Sequence, residues 1–197
     1  EILETIAVAG LSPEVKRTAG GIFRRLAEAE GTVHGRSPEE VHFHEVGALD
    51  AIVDIVGTAL CLEMLGWPRV IASPMPTFHG YVTGSHGVFP LPAPATAEIL
   101  RGVPWRKLDI EGELVTPTGA AIIREIAAEF GPLPAMQVDR IGYGAGTNEF
   151  AIPNALRVMV GREAVSQLSR GTIAVVETNI DDLNPQFYET AMEKLFT

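Results

Sequence analysis

Residues 41 to 57, VHFHEVGALDAIVDIVG, set His42, His44, Glu45, Asp50 and Asp54 among residues that are otherwise almost all apolar or glycine. A carboxylate in such company is costly unless something pairs with it. If residues 41 to 44 are extended, His42 and His44 project to the same side, because side chains two apart in a strand share a face. Two imidazoles on one face, followed by Glu45, suit a divalent transition metal such as nickel, zinc or copper. A lone His-x-His is also the pattern of hydrogen-bonded or surface histidines. All five histidines, His34, His42, His44, His79 and His86, fall between residues 34 and 86, which points toward a shared site.

Asp50 and Asp54 are four apart, so a helix puts them on one face, and Gly57 and Cys61 continue that stripe with small or polar residues. The stripe lets a ligand or another backbone approach closely. A carboxylate paired with an arginine, or capping another helix, explains it equally well. Cys61 follows Leu60 in an apolar helix, where a free cysteine behaves as a small hydrophobe, so a core position is expected.

Three further segments carry polar groups at telling positions. VTPTGAA flanks a helix start with Thr116 and Thr118, and Gly119 permits close approach, so free N–H groups and hydroxyls could receive a phosphate or carboxylate. Plain helix capping accounts for the same residues. ETNIDDLNP sets Glu177, Asp181 and Asp182 beside Asn179 and Asn184, an oxygen-rich loop for magnesium or manganese near a nucleotide, or else a solvated acidic turn. RIGYGAGTNEF superficially matches a dinucleotide fingerprint, but no helix follows and Pro153 intervenes, which excludes a Rossmann site.

The elements that must position these groups are legible from spacing. Ser12 and Pro13 open a helix running to about Glu30, weakened at Gly20-Gly21. Ser37-Pro38 starts a short helix that enters the extended histidine segment. From Gly47 to Leu65, Leu49, Ile52, Val53, Val56, Leu60 and Met64 follow a helical period that Gly66 and Pro68 end, and the near-absence of a polar face implies burial. RVIASPMP reads as a strand entering a turn, FHGYVTGSHGVFPLP as a hairpin holding His79 and His86, and PAPATAEILRG as a helix after Pro94. Thr116 and Pro117 start another helix, with Ala121, Ile122, Ile126 and Phe130 on one face before Gly131. MQVDRIGYGAGT and ALRVMVGRE read as strands flanking a glycine-rich turn. GTIAVVETNIDDLNPQFYETAMEKLF reads as a strand, an acidic loop and a helix.

Helices and strands alternate, so the class is α/β or α+β, with a mixed small sheet and packed helices. The polar segment GREAVSQLSRG divides an N-terminal α/β domain, residues 1–165, from the beginning of a truncated second domain, 171–197. The chain opens at Glu1 and stops within a helical pattern, which reads as a piece of a longer protein.

Composition removes several function classes. The 197 residues are 46% hydrophobic and 20% charged, enough for one sizeable core. Fifteen Lys and Arg against 25 Asp and Glu give a formal charge of −10, with no basic cluster for nucleic acid or an anionic membrane. Residues 70 to 97 lack Asp, Glu, Lys and Arg, but five prolines interrupt any spanning helix, so buried loops and short strands are expected there. One cysteine permits no intrachain disulfide, and a cytoplasmic location is the expectation.

Taken together, VHFHEVGALDAIVDIVG, GVFPLPAPATAEILRGVP, EGELVTPTGAA, GYGAGT and ETNIDDLNPQFYE resemble the LarC family, the nickel insertion proteins of the nickel-pincer nucleotide cofactor of lactate racemase. The likeness runs from about residue 20 to the end. It implies a cyclometallase of the lyase class, which inserts Ni²⁺ into pyridinium-3,5-bisthiocarboxylic acid mononucleotide using CTP with Mn²⁺ or Mg²⁺. On the matching positions it implies nickel held by His42, His44 and Glu45, with His79 and His86 as further metal residues. Asp50, Asp54 or Glu45 would serve the proton chemistry, and Thr116, Thr118 and Gly119 would receive the nucleotide phosphate. The family's nucleotide-hydrolysing portion, expected to be ferredoxin-like, is represented only by the last residues, so most of a CTP site lies outside this chain. The family's DCFSGISGDM-like opening is absent, as is the long histidine tract of some members. A homo-oligomer is the expected assembly. The alternative is a metal- or nucleotide-binding scaffold without catalysis.

Overall fold

The computed structural model describes residues 2–40, 48–84 and 87–164. In chain order, helix α1 spans Ile2–Val8, α2 Pro13–His34 and α3 Ala48–Met64, with a 3₁₀ turn at Pro38–Glu40. Strands β1 (Val70–Ala72), β2 (Met75–Pro76), β3 (Tyr81–Gly84) and β4 (Gly87–Pro90) precede α4 (Pro94–Ile99) and β5 (Trp105–Arg106). Then come α5 (Pro117–Ile126), β6 (Ala127–Phe130), β7 (Met136–Ala145) and β8 (Ala155–Glu163).

The core is built around α2. Ser12 Oγ accepts the Val15 N–H at 3.3 Å and Pro13 occupies the first turn, which satisfies an otherwise orphaned donor and fixes where the helix begins. Val15, Ala19, Ile22, Phe23, Leu26 and Ala29 are buried at helical spacing. All of these but Val15 share one core cluster with Ala51 and Ile55 of α3, Ala95 and Ile99 of α4, and Ala120 and Ala121 of α5. The alanines on these partners let the helix axes approach α2 closely, and each fully buried Ile or Leu contributes about 1.5–3 kcal/mol. The helix continues past Glu30, the end expected from its pattern, to His34. Gly31 is buried where a side chain would press within 2.8 Å of the Arg36 carbonyl, and Gly35, left-handed at φ 63°, makes the stop.

Helix α3 corrects the expectation of burial all round. Ala51, Ile55 and Ala59 are fully packed, whereas Leu49, Val53 and Met64 are 74%, 63% and 85% exposed. Cys61 is exposed too, not in the core. Asp50 and Asp54 lie on the exposed side, so their desolvation cost does not arise.

Among the described residues the strands form four two-stranded pairs, two parallel and two antiparallel. The expected hairpin is β3 with β4, Tyr81 opposite Pro90 and Gly84 opposite Gly87, although Tyr81 and Val88 are exposed where buried segments were expected. Strands β7 and β8 form the second hairpin, but Gly142 and Gly144, expected in the turn, pair within β7, and the connection, residues 146–154, holds one glycine, Gly146. The helix expected to reach Phe130 ends at Ile126. Residues Ala127–Phe130 instead pair in parallel with β1, and the Gly131 N–H donates to the Ala72 carbonyl at 2.8 Å. Hydrogen bonds from a distant strand outweigh helical periodicity here.

The described part is thus a mixture of helices and small sheets, in keeping with the α/β or α+β class. The second domain expected at 171–197, and its ferredoxin-like character, lie outside the described residues. No helix among the described residues is long and apolar enough to cross a membrane.

Candidate functional site

Of the five residues singled out as metal-binding, His79 falls among the described residues. His42, His44, Glu45 and His86 lie outside them. His79 sits at the end of a parallel backbone ladder continuing the β2–β5 pair. Met75 N–H donates to Pro104 O at 2.9 Å, Thr77 N–H to Arg106 O at 2.9 Å, His79 N–H to Ile110 O at 3.0 Å, and Gly112 N–H to His79 O at 2.9 Å. The Thr77 hydroxyl closes the ladder from the side, donating to Leu108 O at 2.7 Å and accepting from Leu108 N–H at 2.8 Å. Phe78 and Ile110 point inward, 4% and 7% exposed, and the alternation of extended chain turns His79 and Asp109 outward.

There His79 Nε2 lies 3.1 Å from Asp109 Oδ1. An ionised carboxylate can only accept, so the imidazole is the donor through Nε2, and in the neutral ring the lone pair then lies on Nδ1. Asp109 also lines a cleft of about 450 Å³ with Ile110, Glu111, Glu149, Phe150 and Ala151. Phe150 closes over Gly112, whose φ is 116°. A Cβ at that position would lie 2.6 Å from the ring, so glycine is needed for both backbone and space. Sequence reasoning missed Asp109. The only signal available was the alternation of LDIEGE, which puts Asp109 and Glu111 opposite Ile110.

The Thr116 segment forms the start of α5. Thr116 is extended at φ −77° and ψ 161°, its Oγ1 accepts the Gly119 N–H at 3.2 Å, and Pro117 follows in the first turn. The hydroxyl is therefore engaged in the cap. Thr118 is half-buried, Gly119 is exposed, and Ala120 and Ala121 anchor the helix in the core.

Asp50 and Asp54 share the exposed side of α3 near its first turn, and the Thr58 hydroxyl donates to the Asp54 carbonyl at 2.7 Å. The fifth histidine, His34, pairs with Glu30 at 3.3 Å on the last turn of α2. Among the described residues, no group of three or more His, Cys, Asp or Glu is arranged to hold a metal ion. The structure thus brings together Asp50 with Asp54, Thr116 with Gly119, and His79 with the unforeseen Asp109. It places these three groups on separate elements.

The chain matches the family described as "Nickel insertion protein" over residues 1–197 and is a member of that family. The resemblance drawn from the motifs is thereby confirmed. Two Desulfitobacterium hafniense proteins, of strains DCB-2 and Y51, are 48% and 47% identical over 201 residues. Each alignment covers 100% of this chain and 50% of the relative, and each relative is named "Pyridinium-3,5-bisthiocarboxylic acid mononucleotide nickel insertion protein". A Dictyoglomus thermophilum protein is 50% identical over 196 residues, again across 100% of this chain and 50% of the relative. The chain spans about half the length of the curated relatives it matches. No solved structure matches it.

Proposed function

We propose that this chain takes part in inserting Ni²⁺ into pyridinium-3,5-bisthiocarboxylic acid mononucleotide, within a CTP-dependent nickel cyclometallase that makes the nickel-pincer cofactor of lactate racemase. The observation that carries the reading is the likeness, 48% identity over 100% of this chain, to a D. hafniense protein named for that substrate and metal.

Insertion needs nitrogen and oxygen ligands that hold Ni²⁺ yet yield it to the sulfur atoms of the substrate. His42, His44 and Glu45 hold the ion in this reading, and His79 and His86 complete the set. When the carbon–nickel bond forms, the ring C–H bond breaks, its electron pair goes to nickel and its proton passes to a base. Asp50 or Asp54 takes that proton or orients an imidazole. Their exposure on α3, directly after the histidine segment in the chain, supports the assignment by leaving them open to substrate. Thr116, Thr118 and Gly119 receive the nucleotide phosphate at the start of α5, where backbone N–H groups and the helix dipole favour an anion. CTP and its Mn²⁺ or Mg²⁺ belong to the remainder of the intact protein, together with the acidic loop at Glu177, Asp181 and Asp182. The same reading makes the protein a cytoplasmic homo-oligomer.

The test is to give the intact protein the bisthiocarboxylate mononucleotide, Ni²⁺ and CTP, and to search by mass spectrometry for a nucleotide that has gained nickel and lost protons. That adduct is expected. Binding of metal and nucleotide without the adduct would make the protein a scaffold instead.

A further inference from the structure

We propose that Asp109 is a positioning residue for His79: it accepts the Nε2 proton, fixes the ring, and leaves Nδ1 as the nitrogen offered to a divalent cation. The inference rests on the reading above, in which His79 belongs to the nickel-holding set.

The pairing is imposed by the backbone. His79 and Asp109 are 30 residues apart in sequence, and their distance of 3.1 Å follows from the ladder between residues 75–79 and 104–112. Phe78 and Ile110 anchor that ladder in the interior, and the Thr77 hydroxyl locks its register on Leu108. The two functional side chains therefore leave the surface side by side from a fixed frame.

Stability does not explain the pair. The side chains are 57% and 92% exposed, and an ion pair in such a setting adds little to folding. A carboxylate on the far nitrogen of an imidazole does, however, set which nitrogen is free and hold the ring in place for a metal. Asp109 also borders the cleft shared with Glu111 and Glu149, so the imidazole stands beside a concentration of negative charge that draws cations.

Nickel titration of the intact protein with Ni²⁺ alone, read against a competing chelator dye, tests this in four forms: wild type, His79→Ala, Asp109→Ala and Asp109→Asn. Asp109→Ala is expected to weaken nickel binding about tenfold, with an unchanged melting temperature. Asp109→Asn, whose carbonyl accepts the same N–H, is expected to restore most of the affinity. Wild-type affinity in Asp109→Ala, with affinity lost in His79→Ala, would overturn the positioning role alone. Wild-type affinity in His79→Ala would overturn the assignment of His79 to nickel and this inference with it. An Asn variant as weak as the Ala variant would show that Asp109 acts by charge and not by this hydrogen bond, which also overturns it.

Discussion

Arg25 Nε donates to Glu125 Oε2 at 2.6 Å and joins α2 to α5 across 100 residues of sequence. The pair is partly buried, and it sits over Gly21, where an added methyl group would overlap the Glu125 carboxylate. Gly21 thus leaves the space that the Glu125 carboxylate occupies in tying α5, and with it the Thr116 segment, to α2.

Glu125→Ala is expected to cost about 1–2 kcal/mol in urea denaturation, because the arginine loses a charge-assisted partner. Gly21→Ala destabilises the wild type by displacing that partner. In the Glu125→Ala background the displacement has no victim, and the helix-propensity gain of up to about 1 kcal/mol emerges. Destabilisation by Gly21→Ala in both backgrounds would contradict the contact.

The one-sidedness of α3 separates neighbours. Ile55 is fully buried and Val53 is 63% exposed. Ile55→Ala is expected to cost about 2–5 kcal/mol, and Val53→Ser to stay within about 0.5 kcal/mol. Equal losses in thermal unfolding would mean that something covers the outer face.

At the start of α5, cap and ligand roles can be separated. Thr116→Ala is expected to cost about 1 kcal/mol and to weaken binding of the mononucleotide. Thr116→Asp keeps a capping oxygen but places a negative charge against a phosphate, so stability returns while nucleotide binding stays weak. Calorimetric titration showing wild-type nucleotide affinity in the Asp variant would remove the phosphate from this position.

The pH response of α2 has a defined sign. The hydrogen bond from Arg17 holds the Glu14 carboxyl below its ordinary range. A depressed folded value stabilises above the unfolded pKa, and the contribution is lost as pH falls through the folded value. An NMR titration of the Glu14 carboxyl should therefore shift upward in Arg17→Ala. An unchanged titration would show that the arginine is not the cause.

What the sequence made legible was local. Ser12-Pro13 and Thr116-Pro117 encode their caps within four residues, and the Gly84–Gly87 hairpin encodes its turn in the same way. Helical spacing from Gly47 to Leu65 located α3 but could not say which apolar side would find a partner, so Leu49, Val53 and Cys61 were misjudged. The strand at Ala127–Phe130 depends on β1, more than fifty residues away, while its own residues favour a helix. Asp109 escaped notice for the same reason. Nothing near it in sequence announces that a ladder of hydrogen bonds will bring it to His79.

That nickel is held by the histidine segment is tested most directly by one titration of Ni²⁺ into the intact protein and its His42→Ala/His44→Ala variant. Stoichiometric binding by the wild type and its loss in the variant are the predicted results. Equal binding by the two would contradict the assignment and move nickel uptake to another part of the protein.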